Sequence, residues 1–301
     1  MSTRQGLVSI FLAALLFSTS GVAQAVAQAG STPLGVGASR LFVGSILTIL
    51  LLPRLGIARS IVVRLWKSPA ILIAGLCAGT YQVTFFAGVQ DAGVALGTLI
   101  VMGSTPLFAG LLSLLFLKQR LAISWFIATV VCLGGLTLLS IEGIGSGSPQ
   151  GVFLSLLAGL AVSGYTVAAK KPLDSGVAPI AVMASTFAFG GLFLIPLYVR
   201  EPLTWLLEPR GFMLALYLGV FTMVAANWLH VRGLSVLPPA QVTTLMLLEP
   251  LLATLLGIVI LDESLSAIAT GGVVLVLAGL LLQGGVLARR RPPVEEIVSP
   301  I

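Results

Sequence analysis

Ten long apolar stretches, joined by short polar connections, account for most of this chain of 301 residues. They cover residues 6–27, 34–52, 69–90, 94–117, 122–141, 151–169, 178–199, 211–231, 239–261 and 267–287. A helix needs about 20 apolar residues to cross a bilayer, and in lipid only helices and closed barrels satisfy their own backbone hydrogen bonds. A barrel would need short segments of alternating polarity, whereas stretches such as Gly271–Leu282 are continuously apolar. The sequence therefore predicts an all-α integral membrane protein with ten transmembrane helices.

The composition excludes the other common classes of protein. Only 9% of the residues are charged, whereas a soluble globular domain carries about 25%. The 57% of hydrophobic residues excludes a disordered chain, and the two cysteines, Cys77 and Cys132, exclude a disulfide scaffold. No water-soluble domain of useful size is left between the apolar stretches.

Basic residues predict the orientation in the membrane. Thirteen of the 16 Lys and Arg residues occupy the termini and every second connection: Arg4, Arg54, Arg59, Arg64, Lys67, Lys118, Arg120, Lys170, Lys171, Arg232, Arg289, Arg290 and Arg291. Only Arg200 and Arg210 lie in the other connections, and Arg40 lies within the second apolar stretch. Because cytoplasmic connections carry the excess of Lys and Arg, both termini are predicted to be cytoplasmic in a cell (inner) membrane. The net charge of +6 is then an orientation signal, so the lipid bilayer is the predicted partner and nucleic acid is not.

The first apolar stretch also resembles a cleavable signal peptide, because Arg4 precedes it and Ala27-Gln28-Ala29 ends it. The stretch is long for a signal peptide and matches a stretch in the second half of the chain. We therefore expect it to remain as the first transmembrane helix.

The chain contains an internal repeat. At an offset of 145 residues Gly88 falls on Gly233, and at an offset of 144 Pro106 falls on Pro250. The segment Gly143–Gln150 forms a short flexible link between the halves. We predict a first repeat over residues 1–145, a second over residues 146–288 and a cytoplasmic tail over residues 289–301. Five spans in each half make the second half enter the membrane from the other side, which predicts two inverted-topology five-helix repeats with a substrate site near the midplane.

Two corresponding segments carry a family resemblance. They are Gly88–Leu121 and Gly233–Leu265, each a run of small residues, a proline within the span, an apolar stretch and a polar turn. They resemble the drug/metabolite transporter superfamily in its ten-helix EamA-type branch, and the compact loops are most similar to amino-acid exporters of the YddG type. The second copy matches better, because it holds Leu248-Glu249-Pro250 and an acidic turn at Asp262-Glu263-Ser264-Leu265. In the first copy Lys118-Gln119-Arg120 replaces the acidic turn.

Polar and aromatic residues within the spans are the candidate substrate site. Gln82 and Asn227 fall on each other at an offset of 145, and each carboxamide can donate and accept hydrogen bonds. They would contact polar atoms of the substrate or clasp two helices together. Tyr81, Phe85 and Trp228 lie beside them and would contact its apolar part, or would pack between helices.

Two prolines and one acid are further candidates. Pro106 and Pro250 each remove a backbone donor within a span, which predicts either a gating hinge or a packing kink. Glu249 is the one carboxylate deep inside a predicted span, where an ionised group costs about 3 kcal/mol. It would be a protonation site for coupled export, an anchor for a substrate amine, or a structural partner of a helix end.

The remaining ionisable residues lie nearer the predicted membrane surfaces. His230 is expected at the cytoplasmic interface beside Arg232. Arg40 is expected to extend to the surface or to meet an anionic group such as a substrate carboxylate. The sequence holds no phosphate-binding loop and no metal-ligand cluster, so no cofactor and no metal are predicted.

These features predict a secondary transporter that exports small metabolites by alternating access. The resemblance implies amino acids, and the scarcity of buried charge favours apolar, aromatic or zwitterionic ones. Proton coupling is possible through Glu249. A multidrug transporter for cationic compounds is the alternative. A remote second alternative is an intramembrane serine protease, with Ser163 as nucleophile and His230 as base.

Overall fold

The computed structural model describes residues 1–27, 31–143, 145, 147–261 and 266–289. The secondary structure of these residues is helical throughout, without a strand. The helices are α1 (Thr3–Ala27), α2 (Pro33–Leu51), α3 (Ile61–Leu65), α4 (Pro69–Ala92), α5 (Val94–Phe116), α6 (Ile123–Ser140), α7 (Pro149–Asp174), α8 (Pro179–Tyr198), α9 (Pro209–Tyr217), α10 (Asn227–Leu234), α11 (Pro239–Leu245), α12 (Leu248–Leu261) and α13 (Ala267–Arg289). A π-helix over Leu218–Ala226 joins α9 to α10.

The helices match the predicted spans. Within the described part of the chain, nine helices are long and apolar enough to cross a membrane. Two of these spans are composite: Pro209–Leu234 runs through the π-helix, and Pro239–Ile260 combines α11 with α12. The tenth predicted span is α13, which has a shorter apolar run at Ala267–Gln283. The prediction of an all-α membrane protein is confirmed.

Some sequence predictions concern residues outside the described part. These are Gln28 and Ala29 of the signal-peptide-like motif, the acidic turn over residues 262–265 and the tail over residues 290–301. The proposed boundary at residues 145 and 146 lies next to a short 3-10 turn, Ile141–Gly143, that separates α6 from α7. The division of the chain into domains stays a prediction.

Prolines and hydroxyl caps fix where several helices begin. Thr32 and Ser148 each accept a hydrogen bond from the backbone N–H three residues later, at 3.0 and 2.9 Å. Proline follows each cap as the first helical residue, where its missing N–H costs nothing. These caps orient α2 and α7, both of which line the cavity described below.

The packing of the helices is nearly unchanged when the two halves are exchanged. Helix α4 packs against α7, and in the other half the span of α9 and α10 packs against α1. Helix α5 packs against α7 as α12 packs against α1. Three further pairs join equivalent spans of the two halves, so that exchanging the halves leaves each pair unchanged. They are α6 with α13, α2 with α8 and α5 with α11. This arrangement is the one expected of two structurally related five-span halves.

Contacts between connections define the two ends of the bundle. At one end Arg232 Nε lies 3.3 Å from Met1 Sδ, and Trp66 Nε1 donates to the Ser185 carbonyl at 3.0 Å. We call this the basic end. Its described basic residues are Arg4, Arg54, Arg59, Arg64, Lys67, Lys118, Arg120, Lys170, Lys171, Arg232 and Arg289.

The other end, which we call the far end, is joined by different contacts. The Thr32 hydroxyl donates to Glu201 Oε2 at 2.6 Å, and the Ser148 N–H donates to the Asp91 carbonyl at 3.4 Å. Arg200 is exposed at this end. The connections therefore alternate between a basic end and a far end, as the charge pattern predicts.

Candidate functional site

A large cavity lies between the two halves of the bundle. Its volume is about 750 Å³, and residues of the first nine spans line it. The lining reaches Gln90, Gly93 and Val94 at the far end, all three of which are exposed. At the other extreme it stops at Tyr165 and His230, and among the described residues no Lys or Arg of the basic end lines it. The cavity is therefore open toward the far end and closed toward the basic end.

Lys170 is part of the closure at the basic end. Its Nζ donates to the carbonyl oxygens of Leu234 at 2.8 Å and Ser235 at 3.3 Å, and it forms a 3.0 Å ion pair with Asp174. The Lys170 side chain is only 8% exposed. The carbonyls at the end of α10 carry partial negative charge and have no partner within their own helix. Lys170 thus fastens α7 of the second half to the end of α10.

The halves meet at two equivalent helix pairs, α5 with α7 and α1 with α12, which we call seams. The two seams differ in their hydrogen bonds. Ser163 of α7 donates to the Thr105 carbonyl of α5 at 2.8 Å. Its counterpart Ser18 donates within its own helix, to the Leu15 carbonyl at 2.8 Å, and lines the cavity. The α5–α7 seam is therefore closed by a hydrogen bond, and the cavity reaches into the α1–α12 seam.

Gln82 and Asn227 both line the cavity and meet at one residue. Gln82 Nε2 lies 3.9 Å and Asn227 Nδ2 lies 3.7 Å from Met223 Sδ. Asn227 Nδ2 also donates to the Thr222 carbonyl at 3.0 Å, which completes the bonding at the end of the π-helix. Gln82 Oε1 is buried and has no hydrogen-bond partner in the described structure. Gln82 thus offers a free acceptor to a ligand, whereas Asn227 has a structural bond as well.

The aromatic candidates separate into two groups. Tyr81 and Phe85 line the cavity, and their ring centroids are 5.3 Å apart. Trp228 does not line it. Its side chain is 37% exposed, and the Arg232 guanidinium lies 5.2 Å from the centre of its ring. Successive helical residues point about 100° apart, and Asn227 occupies the cavity side. Substrate contact by Trp228 stays a prediction.

The two prolines have different structural effects. Pro250 lines the cavity just after a break in its span, where α11 ends at Leu245 and α12 begins at Leu248. The Met246 carbonyl, which loses its usual donor to Pro250, accepts the Glu249 N–H instead at 2.9 Å. Pro106 lies buried inside α5, which continues without a break. The helix thus breaks just before Pro250 and continues through Pro106, and a hinge at either proline stays a prediction.

Two residues of the cavity were not placed there by the sequence. His230, expected at the interface, is 6% exposed and lines the cavity, so that expectation is wrong. Its ring is stacked on Tyr165 with 6.2 Å between centroids, and His230 Nε2 and the Tyr165 hydroxyl lack partners among the described residues. Neither residue gave a periodic signal in the sequence, because these spans are apolar on every side.

Arg40 and Glu249 bring opposite charges to the same cavity. Arg40 is 9% exposed, Glu249 is half-buried, and both line the cavity with Tyr81. No Arg40 nitrogen comes within 4.0 Å of a Glu249 oxygen, since the one ion pair of the described residues is Lys170–Asp174.

The structure offers no protease or metal site in its described part. The Ser163 hydroxyl donates to the carbonyls of Thr105 and Gly159 at 2.8 and 2.7 Å, and it does not line the cavity. Ser163 is therefore a packing residue. Among the described residues no group of three or more His, Cys, Asp or Glu side chains could hold a metal ion.

Comparison with known proteins identifies the family. The model of the EamA-like transporter family matches the chain twice, over residues 4–141 and 149–284. The uncharacterized transporter YwfM of Bacillus subtilis (strain 168) is 36% identical over 274 residues, which cover 91% of each chain. Protein PecM of Dickeya dadantii (strain 3937) is 28% identical and covers 72% of this chain and 73% of its own length. A solved crystal structure of a protein with 21% identity has the same fold, with a TM-score of 0.81 over 97% of this chain and all of the other. The chain therefore belongs to the EamA-like transporter family, as a multi-pass membrane transporter and not an enzyme.

Proposed function

We propose that the protein is a secondary transporter that exports small apolar or aromatic amino acids by alternating access. The observation that carries this proposal is the cavity of about 750 Å³, which lies between the two halves and opens at one end only. Substrate pockets of a few hundred to about 1,000 Å³ hold small molecules of this class. A carrier of two inverted halves exposes such a site to each side in turn.

The lining of the cavity supports an amino acid with a large apolar side chain. Four aromatic residues line its middle and far parts: Phe17, Tyr81, Phe85 and Phe86. Phe187 lines it beside Tyr165, with 6.0 Å between the ring centroids. Polar side chains are interspersed among the apolar ones, and Gln82 offers a free acceptor. A wall that is mostly apolar with a few placed polar groups selects for shape and for a small polar head.

The charges indicate the orientation of the bundle, and export is part of the proposal. We place the basic end in the cytoplasm, because cytoplasmic connections carry the excess of Lys and Arg. Both termini are then cytoplasmic in a cytoplasmic membrane, and the described conformation is open to the exterior. This is the conformation from which an exporter releases its substrate.

A transporter of cationic drugs is the second candidate. The half-buried carboxylate of Glu249 in the cavity favours it, because a lone acid in a membrane site attracts a cation. The buried guanidinium of Arg40 in the same cavity opposes it. The amino-acid proposal accommodates both charges.

Counterflow in proteoliposomes tests the proposed function. Purified protein is reconstituted, and uptake of a panel of radiolabelled amino acids is measured with and without a proton gradient, beside competition by cationic dyes. Saturable counterflow of an apolar or aromatic amino acid is expected. Saturable transport of the dyes without any amino acid would establish the cationic alternative instead.

Proton coupling is a separate part of the proposal, with Glu249 as its carrier. Arg40, Tyr81 and His230 are the other ionisable groups of the cavity. We expect a proton gradient to stimulate transport by the parent protein and not by Glu249→Gln. Equal stimulation of both proteins would end the assignment of coupling to this residue.

Substitution of the two central carboxamides is expected to slow transport. Loss of one hydrogen bond costs about 0.5–1.5 kcal/mol, so Gln82→Ala and Asn227→Ala should each lower the transport rate at limiting substrate roughly 2- to 10-fold. Trp228→Ala is the matched control, because Trp228 neighbours Asn227 but lies outside the cavity. Normal rates in both carboxamide variants, with normal insertion, would exclude them from the substrate site.

A further inference from the structure

We propose that Arg40 and Glu249 form a two-point site for a zwitterion, in which Arg40 binds the carboxylate and Glu249 the ammonium group of one α-amino acid. This assignment rests on the proposed function, which it extends from a substrate class to the atoms that recognise it. Arg40 belongs to α2 of the first half and Glu249 to α12 of the second.

The guanidinium of Arg40 is available for an anion. The residue is only 9% exposed, yet it lines the cavity, and its Nε has no hydrogen-bond partner among the described residues. Its seven-residue distance from Pro33 corresponds to about 10 Å along the helix, too far inside for a surface contact. A buried charge without a partner is costly, and the planar donors of arginine fit a carboxylate with two parallel hydrogen bonds.

Glu249 supplies the opposite charge at mid-span. Ten residues, or about 15 Å, separate it from Pro239 at the basic end, and the distance to the other end of the span is similar. Its N–H is engaged by the Met246 carbonyl at the helix break, which fixes the start of α12 beside the cavity. The carboxylate is half-buried and lines the same cavity as Arg40.

The separation of the two charges distinguishes a ligand site from a structural ion pair. A structural pair buried in a membrane would be expected in direct contact, because contact offsets the cost of removing both charges from water. Arg40 and Glu249 line the same cavity, but their charged atoms are more than 4.0 Å apart. A molecule that carries a carboxylate and an ammonium on one carbon atom can lie between them and neutralise both.

The phenol of Tyr81 completes this site. Tyr81, on α4 of the first half, lines the same cavity as both charged groups. The Tyr81 ring packs against Phe85, so the charged residues and the aromatic wall of the cavity are adjacent. An amino acid with its charged head between Arg40 and Glu249 would therefore extend its apolar side chain along Tyr81 and Phe85.

Three ligands with the same aromatic side chain allow the contributions of the carboxylate and of the ammonium group to affinity to be measured separately. L-Phenylalanine carries both charges, phenethylamine lacks the carboxylate and 3-phenylpropionate lacks the ammonium. Their affinities are measured by competition for counterflow and by thermal stabilisation of the purified protein in detergent. If the panel yields another amino acid, that amino acid replaces phenylalanine together with its amine and acid analogues.

Each variant is expected to change one ratio of affinities and not the other. Arg40→Gln should reduce the preference for phenylalanine over phenethylamine about 10-fold and leave its preference over 3-phenylpropionate unchanged. Glu249→Gln should do the reverse. Arg200→Gln, which removes an exposed arginine at the far end, should change neither ratio.

Charge-retaining variants keep the test decisive if a neutral variant does not insert. Arg40→Lys retains the charge but loses the planar fork of donors, so it should lower the preference for phenylalanine over phenethylamine less than Arg40→Gln does. Glu249→Asp should likewise lower the preference for phenylalanine over 3-phenylpropionate less than Glu249→Gln does. If the parent protein transports amino acids and neither ratio changes in either pair of variants, the two-point site is wrong while the proposed function stands. If the parent binds no amino acid, the proposed function fails, and this site fails with it.

Discussion

Replacing Gly135 with leucine is expected to destabilise the protein by about 3 kcal/mol, because overpacking a close helix contact forces backbones apart. A Cβ atom at Gly135 would lie 2.6 Å from the backbone nitrogen of Val276 and 2.7 Å from the carbonyl oxygen of Gly272. Backbone atoms cannot move aside as a flexible side chain can. The pairing of α6 with α13, which depends on small residues at the contact as in other membrane bundles, would therefore be lost or displaced.

The neighbouring residue provides the control for this prediction. A Cβ atom at Gly134 would meet nothing within 4 Å in the described structure, and Gly134 is exposed on the outer surface of the bundle. Gly134→Leu should therefore keep the folded yield and the midpoint of heat denaturation in detergent, while Gly135→Leu lowers both. Equal effects of the two variants would show that α6 and α13 do not pack at this contact.

Replacing Lys170 with methionine is expected to open the basic end. The substitution keeps much of the side-chain length but removes the donors to the carbonyls of Leu234 and Ser235. Hydrogen bonds from a charged group contribute about 1.5–3 kcal/mol, which corresponds to a roughly 10- to 100-fold shift toward the conformation open at that end. A cysteine at Leu237, which is 1% exposed, should then react faster with a maleimide by a similar factor.

Lys171→Met is the matched control, because Lys171 follows Lys170 in sequence but is exposed. Labelling at position 237 requires a background without Cys77 and Cys132, and both variants are compared in it. A tenfold gain for Lys170→Met and none for Lys171→Met is expected. Equal labelling of the two variants would mean that Lys170 does not hold the basic end closed.

The transmembrane spans and their arrangement as two similar halves could be predicted, because both depend on the order of apolar and charged residues along the chain. Apolar length marks a crossing helix, and the alternation of basic connections marks its direction. The segment Leu248-Glu249-Pro250 indicated the second repeat, whose bounds stay a prediction, and Glu249 lies near the middle of the span Pro239–Ile260. The predicted range 239–261 nevertheless hid the break between α11 and α12, because hydropathy does not register a local change in backbone hydrogen bonding.

Which side of each helix faces the cavity could not be predicted. A soluble helix shows its buried side by a polar opposite face, but these spans are apolar all round, since lipid and protein interior accept the same residues. A carboxamide avoids lipid, and Gln82 lines the cavity, whereas Trp228 is partly exposed and lies outside it. The cavity positions of Arg40 and His230 depend on where α2 and the span of α10 pack, which only the three-dimensional arrangement specifies.

The π-helix at Leu218–Ala226 gives the eighth span an adjustable register. Its i→i+5 bonding holds more residues in each turn than the α-helices on either side. A return to α-helical bonding would rotate α10 about its axis relative to α9, and one residue step corresponds to about 100°. Because a π-helix holds more residues in each turn, such a step with α9 in place would bring Ala226 to the position that Asn227 now holds and would turn Asn227 away from it. One span thereby contains the means to present an amide to the cavity in one conformation and to withdraw it in another.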